Sequence, residues 1–276
     1  MTTQTPLPRT QVYYPDTDGQ PMAESDFQRI PLSYAVEALD LYFEDRPDVY
    51  VSGNIFLYFQ EGDPTANVAP DVLVVFGVRK AERRSYKLWE EGGKAPDFIL
   101  EITSETTRVK DQGVKFGLYA ALGVREYLQY DPTGDYLSPP LKGWRLVGDH
   151  YEALPTQALN GTLVVVSEVL GLEARAELIR REFRFYDPKT GQRLLSRKES
   201  ERGRLAAEAR AAQEAAARRE AEERAAQEAA ARREAEERAA QEAAARREAE
   251  ERAAALAAEM ERLRAELDRR ARGSEA

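Results

Sequence analysis

The most constraining feature of this 276-residue chain is an abrupt change of composition near residue 196. From residue 199 to the end there is no Phe, Tyr, Trp, Pro or Lys, whereas the preceding part is rich in aromatic residues and in apolar runs such as residues 72–76. A segment with so few large apolar side chains cannot enclose a core. Only the part before this point is therefore expected to form a globular domain.

The second part repeats one motif, RAAQEAAARREAEE, three times, starting at Arg210, Arg224 and Arg238. Alanine is the best helix former, and Glu-before-Arg pairs four residues apart each add about 0.2–0.5 kcal/mol to a helix. We predict a helix within residues 197–273, and about 70 helical residues would extend about 105 Å at about 1.5 Å per residue. The repeats favour a spacer helix, and a coiled coil remains an alternative; the one short apolar seam consists of Leu256, Met260, Leu263 and Leu267.

The first 21 residues contain four prolines and no periodicity, which predicts a flexible arm, some of it packed on the domain. Residues 22–196 are predicted to form the domain itself. Apolar residues at helical spacing indicate a helix over residues 26–44. Strands are expected over residues 49–59, broken at 52–54, and over residues 68–76, 98–102 and 126–130, with a helix at 106–121 between the last two.

The strand–helix–strand succession between residues 98 and 130 predicts a right-handed crossover and parallel pairing. The sheet is then mixed, and the fold class is α/β, with helices flanking the sheet. Shorter strands near residues 144–147, 151–153 and 163–166, and a hairpin joining 183–186 to 193–195, are expected to form an antiparallel extension.

Composition excludes several chemistries. There is no cysteine and only one histidine, His150, so thiolate catalysis, disulfides and His-rich metal clusters are ruled out. A net charge of −9 argues against coating nucleic acid by bulk attraction. It is compatible with carboxylates that hold a divalent cation. No apolar run suits a signal peptide or a membrane span, so we expect a cytoplasmic protein with no membrane partner.

Three features of the sheet region suggest one site: Asp71 opening a strand, Glu101 inside the apolar run of residues 98–102, and Asp111 with Lys115 on the following helix. Two carboxylates on neighbouring strands can hold Mg²⁺ or Mn²⁺, and a lysine can orient an attacking water. The alternative is structural: Pro-Asp is a common turn signal, and Asp111 with Lys115 can be a surface pair. A buried Glu101 favours the site, because a buried carboxylate needs a partner or a metal.

These motifs, together with the APDFILEITS segment at residues 95–104, Tyr119, the GVREY segment at 123–127 and Asp131-Pro132, resemble the Uma2 family of restriction endonucleases, within the PD-(D/E)XK nuclease superfamily. The resemblance covers about residues 22–195. It implies a restriction-endonuclease-like core and a Mg²⁺- (or Mn²⁺-) dependent site that hydrolyses phosphodiester bonds.

By the same resemblance, Asp71 and Glu101 take the acidic positions of the two motifs, and Asp97 is a further candidate metal ligand. The superfamily lysine is expected two residues after the glutamate, where this chain has Thr103, so Lys115 is the candidate for a displaced lysine. Asp111 and Tyr119 are secondary candidates, and the alternative role of Asp97 and Asp111 is to cap a strand and a helix. The basic segment of residues 79–89 is a candidate nucleic-acid contact, with a solvated loop as the alternative.

Two hypotheses follow. The first is a metal-dependent DNA endonuclease with Asp71, Glu101 and Lys115 as its catalytic residues. The second is a catalytically inactive nuclease-like binding module that uses the long helix for oligomerisation or partner spacing. A homodimer, through the domain or the helix, is compatible with either. The distance from Lys115 to the two carboxylates discriminates between the hypotheses.

Overall fold

The computed structural model describes residues 12–15, 25–104 and 113–273, with side chains as far as residue 265. The chain divides into two units, Met1–Arg202 and Gly203–Ala276. Within the described ranges, no helix combines the length and apolar character that a membrane-spanning segment needs.

Among the residues that the structure describes, the first unit contains two α-helices, the start of a third and thirteen strands. In chain order these elements are α1 (Asp26–Tyr42), β1 (Val49–Ser52), β2 (Leu57–Tyr58), β3 (Asn67–Val68), β4 (Val72–Phe76), β5 (Tyr86–Lys87), β6 (Phe98–Ile102), α2 (Lys115–Leu122), β7 (Glu126–Tyr130), β8 (Leu141–Val147), β9 (His150–Ala153), β10 (Thr156–Leu159), β11 (Thr162–Ser167), β12 (Leu172–Glu177), β13 (Glu182–Tyr186) and α3 (Arg197–Gly273).

The central layer is a six-stranded sheet in the order β1-β4-β6-β7-β8-β9. β6 and β7 pair in parallel, with Phe98 opposite Glu126, and the other neighbours pair antiparallel. The prediction of a mixed sheet with a parallel crossover is confirmed.

Both faces of this sheet are covered. Alternate residues of β4, such as Val72 and Val74, pack towards α1 and the second sheet, while Leu73 and Val75 pack towards α2. Burial on both sides explains why the central strands are almost continuously apolar.

A second sheet, in the order β10-β11-β12-β13, packs on the face that α1 covers. The two sheets come close together at Gly143 of β8, where an added Cβ atom would lie 2.8 Å from Cγ1 of Val165. The expected antiparallel extension is divided between two layers. Residues 144–147 and 151–153 belong to β8 and β9 at the edge of the central sheet, whereas residues 163–166 and 183–186 belong to the second sheet. The second sheet also contains β10 and β12, which are missing from the sequence-based prediction. The expected hairpin after residue 186 is reduced to one bridge between Tyr186 and Arg193.

A buried carboxylate joins the two layers. Glu126 of β7 has 0% exposure, accepts hydrogen bonds from the Ser167 hydroxyl at 2.5 Å and the Glu168 N–H at 3.1 Å, and is paired with Arg145 at 2.8 Å. These partners compensate for the removal of its charge from water.

Two predicted strands are each divided between sheets. The 49–59 region becomes β1 in the central sheet and β2 in a three-stranded sheet with β3 and β5. The 68–76 region becomes β3 and β4, separated at Pro70, which has no N–H for a strand ladder. The carbonyl of Pro70 instead accepts the N–H of Asn54, which has the positive φ of 52° expected of an Asn in a tight turn.

Part of the N-terminal arm does pack on the domain. The Tyr14 hydroxyl accepts the N–H of Gly62 at 2.6 Å, and its ring lies 5.2 Å from those of Tyr58 and Trp89. Residues 1–11 and 16–21 lie outside the described residues.

The loop after β7 is organised by Asp131. Its carboxylate accepts backbone N–H groups from Thr133, Gly134, Tyr136 and Leu137. Burial raises the pKa of Asp131, but these hydrogen bonds outweigh it and hold the pKa below the usual value of 3.8.

The Asp131 interactions make stability depend on pH. Because the pKa is lower in the folded chain than in the unfolded one, the contribution is complete above about pH 4 and is lost as the pH falls through the folded-state pKa. We expect Asp131→Asn to lower the free energy of unfolding by about 1–3 kcal/mol at pH 7. We also expect the free energy of unfolding of this variant to decrease less in acid than that of the wild type. Urea unfolding between pH 2 and pH 7 measures both effects, and parallel curves for the two proteins would contradict the prediction.

Helix α3 begins with a capping box. The Glu199 N–H donates to the Ser196 hydroxyl at 3.2 Å, and the Ser196 N–H donates to the Glu199 carboxylate at 2.9 Å. From residue 203 to residue 265 every side chain is exposed. The predicted pairs Glu220–Arg224 and Glu234–Arg238 form. The helix runs from Arg197 to Gly273.

We expect a chain shortened to residues 1–202 to unfold cooperatively at nearly the same temperature as the full chain, because no buried residue among those described lies beyond residue 202. Near-ultraviolet circular dichroism, which reports aromatic packing, measures this transition. A chain cut after residue 195 is the matched comparison. It should melt earlier, because it also loses the capping box and the Arg184–Glu199 pair.

Candidate active site

Strand register brings Asp71 and Glu101 together. Val72 of β4 lies opposite Leu100 of β6, so the preceding Asp71 falls beside Glu101. Side chains alternate along a strand, and both acids lie on the face that carries Leu73 and Ile99, towards α2.

Asp71 is fixed from both sides. Its Oδ2 accepts the backbone N–H of Ile102 at 2.6 Å. Its carbonyl lies against Gly53, where an added Cβ would come within 2.4 Å of the carbonyl oxygen. A side chain at position 53 would therefore displace the backbone that carries Asp71.

Glu101 is fully buried, and both of its oxygens accept hydrogen bonds. The Tyr119 hydroxyl donates to Oε1 at 2.6 Å, and the Lys115 ammonium donates to Oε2 at 2.9 Å. Lys115 and Tyr119 are four residues apart, so one face of α2 presents both groups to the strand. Removing one partner from such a buried ion pair typically costs about 3–5 kcal/mol.

An aromatic cluster anchors α2 on the sheet. The Phe116 ring lies 5.3 Å from Trp144 and 5.1 Å from Tyr151, and the Tyr119 ring lies 5.3 Å from Tyr127. The helix that carries Lys115 is thus held in place by packing independent of the charged contact. The sequence predicted a helix over residues 106–121. The structure describes α2 from Lys115 onward, and residues 105–112 lie outside the described residues.

The other predicted site residues are placed differently. Asp97 lies at the opposite end of β6, about 13 Å from Glu101 along the strand. There its Oδ2 accepts the N–H of Phe76 at 2.8 Å, and Lys94 and Arg125 lie 3.4 Å from Oδ1. The structure does not bring it to Asp71 and Glu101. Asp111 lies outside the described residues.

Thr103 stands beside Glu101 on the same face, with 1% exposure. Its N–H donates to the carbonyl of Tyr130, but none of the described residues pairs with its buried hydroxyl. A buried hydroxyl without a partner costs about 1–3 kcal/mol.

Sequence reasoning missed two residues that extend the same face. Gln129 of β7 lies opposite Glu101, and Lys142 of β8 lies opposite Gln129. Gln129 is 1% exposed and donates to the Tyr127 hydroxyl at 2.7 Å. In the sequence each is only one of two polar or charged residues in its strand, apart from tyrosine and tryptophan, and its relation to Glu101 becomes visible only when the register aligns the strands.

The basic segment of residues 79–89 is largely neutralised by nearby acids. Lys80 pairs with Asp40 at 2.8 Å, Arg83 with Glu91 at 2.7 Å and Lys87 with Glu90 at 2.9 Å. His150 is exposed at the start of β9, beside Asp149 and away from the site.

The donor chemistry at Asp71 and Glu101 fits a hard divalent cation. Within residues 25–104 and 113–265, no group of three or more acidic or histidine side chains is arranged to hold a metal ion. Mg²⁺ does not require such a cage, because it is commonly bound through one or two carboxylates together with waters and substrate phosphates.

The mixed sheet between two helices, with two adjoining carboxylates and a lysine on one face, defines a nuclease-like α/β domain of the restriction-endonuclease type. The chain belongs to the Uma2 family, described as "Putative restriction endonuclease", which matches residues 8–177. This family assignment confirms the resemblance seen in the sequence and places the chain in a nuclease class.

A similar solved structure is that of a "putative nuclease belonging to DUF820" from Anabaena variabilis. It is 14% identical, covers 52% of this chain and 79% of its own, and superposes with a TM-score of 0.36. A search of curated protein sequences finds no match.

The unpartnered hydroxyl gives a testable prediction. Replacing Thr103 by Val keeps the shape and removes the unsatisfied group, so we expect the free energy of unfolding to rise by about 1 kcal/mol. The control is Ser167→Ala, which removes a buried hydroxyl that donates a hydrogen bond to Glu126. This variant should have a free energy of unfolding that is lower by a similar amount. Urea unfolding compares the two, and destabilisation by Thr103→Val would contradict the prediction.

Proposed function

We propose that this protein is a Mg²⁺- or Mn²⁺-dependent endonuclease that hydrolyses phosphodiester bonds of DNA. The observation that carries the proposal is the 2.9 Å contact between Lys115 and Glu101, beside Asp71 on the neighbouring strand. It supplies a lysine to the acidic pair, although Thr103 occupies the usual lysine position.

Asp71 and Glu101 would hold the cation, which when bound supplies positive charge for the phosphate and lowers the pKa of a water. The protein fixes both ligands in advance. Asp71 is tied to the Ile102 N–H, and Glu101 is oriented by Tyr119. Such supporting hydrogen bonds fix the geometry of ligand carboxylates.

Lys115 would orient the attacking water. An ammonium group has three N–H donors, so the contact with Glu101 is compatible with a further hydrogen bond to a water or a phosphate oxygen. Because its side chain is mostly buried, its charge is little screened by solvent.

The acidic net charge favours local, metal-assisted contact with DNA over broad electrostatic attraction. The internal pairing of Lys80, Arg83 and Lys87 supports this, because it leaves residues 79–89 with little net positive charge.

The test is metal binding by calorimetry together with nicking of plasmid DNA in Mg²⁺ or Mn²⁺. In the Asp71→Asn plus Glu101→Gln variant we expect loss of metal binding and a fall in nicking of about 100-fold or more, because several kcal/mol of charge stabilisation disappear. Lys115→Ala should lose nicking but keep metal binding.

Glu152→Gln is the matched control, since it removes an exposed carboxylate from β9 and should change neither measurement. Circular dichroism verifies that each variant is folded. Metal-dependent nicking that survives Glu101→Gln would falsify the proposed site.

A wild type that binds no metal would favour the second candidate function, a nuclease-like binding module. The observation in its favour is the exposed apolar seam of α3, where Leu256, Met260 and Leu263 are each at least half exposed. Light scattering would then test for a dimer formed through this helix.

A further inference from the structure

We propose that Lys142, with Thr103, binds a DNA backbone phosphate next to the one that meets Asp71 and Glu101. The inference rests on the proposed function, since it extends the same site across the sheet. It assigns a phosphate contact to a strand, β8, that the acidic and lysine motifs do not include.

The first step is register. Glu101, Gln129 and Lys142 are direct partners on three adjacent strands, and paired residues share a face of a sheet. Adjacent strands are about 4.8 Å apart, so Lys142 lies about 10 Å from Glu101 across the sheet. The three side chains form a polar row that leads away from the acidic pair.

The second step is pairing. Arg145, the nearest cation along β8, is bound to Glu126 and Glu168 on the opposite face. Lys142 is different: among the described residues, no acid or hydrogen-bond acceptor pairs with its ammonium, and its side chain is half-buried. A half-buried ammonium without a counter-charge is suited to an anionic ligand.

The third step is the hydroxyl of Thr103, an independent observation. The Thr103 side chain is buried, and its hydroxyl has no hydrogen-bond partner in the part of the chain that the structure describes. It lies on the same face of the sheet, two residues beyond Glu101. A hydroxyl can donate to a phosphate oxygen, and doing so would remove the cost of leaving it unpaired. Thr103 therefore offers a hydrogen-bond donor to a phosphate, and Lys142 offers a positive charge. Thr103 directly follows β6 and Lys142 lies in β8, and these are the two strands on either side of Gln129.

The fourth step is that Lys115 and Lys142 lie at different places along the site. Lys115 already occupies the point beside Glu101, so Lys142, two strands away, is displaced from the acidic pair. A nucleic-acid strand that crosses the row would place successive phosphates at the two positions. Contacts of this kind set the position of the backbone without reading sequence.

The test is binding of a short fluorescent DNA duplex by anisotropy, at several salt concentrations, with Ca²⁺ replacing Mg²⁺. We expect Lys142→Ala to weaken binding about fivefold to tenfold and to reduce the salt slope by about 1, as for loss of one phosphate contact. Lys142→Arg should retain affinity within about twofold, because it keeps the charge.

The matched control is Lys189→Ala, which removes an equal charge from an exposed turn after β13. It should bind as the wild type does. Equal losses in Lys142→Ala and Lys189→Ala would overturn the inference, because they would reflect net charge alone. Thr103→Val should weaken binding without lowering the melting temperature, and unchanged affinity in that variant would overturn the role of the hydroxyl.

The outcomes separate this inference from the proposed function. If the wild type binds and nicks DNA and Lys142→Ala does so equally well, only the inference fails. If the wild type binds no DNA, both fail.

Discussion

The structure depends on keeping a charge inside the central sheet. Glu101 has no solvent exposure, and an isolated carboxylate in such a place would be protonated or would destabilise the fold. Its partners, Lys115 and Tyr119, both come from α2. Loss of α2 packing would therefore leave the charge of Glu101 without its partners. As a result, the stability of the strand that carries Glu101 depends on the position of Lys115.

Two Pro-Asp dipeptides organise the strands on which this charge sits. Asp71 precedes β4 and accepts the N–H of Ile102 at the end of β6, while Asp97 precedes β6 and accepts the N–H of Phe76 at the end of β4. The two antiparallel strands are thus held by the same interaction at each end. Both aspartates have a structural role, but only Asp71 has Glu101 beside it.

Sequence patterns predicted the central strands. They did not predict which residues of different strands become neighbours in the sheet. β6 and β7 were predicted with their observed bounds, β6 because burial on both faces makes it strongly apolar and β7 because Asp131-Pro132 marks its end. β10 and β12 were missed because β10 is mostly exposed and β12 buries small alanines. Asp97 was a candidate metal ligand through the family resemblance, whereas one strand length separates it from Glu101. Gln129 and Lys142 become neighbours only through register.

The repeats of α3 have a geometrical consequence. A residue of an α-helix adds about 1.5 Å of length and 100° of rotation. One fourteen-residue repeat therefore adds about 21 Å but leaves the helix face turned by only about 40°. Gain or loss of a repeat during evolution would change the reach of this helix in nearly constant steps, while the seam at Leu256 and Met260 would keep almost the same azimuth about the helix axis.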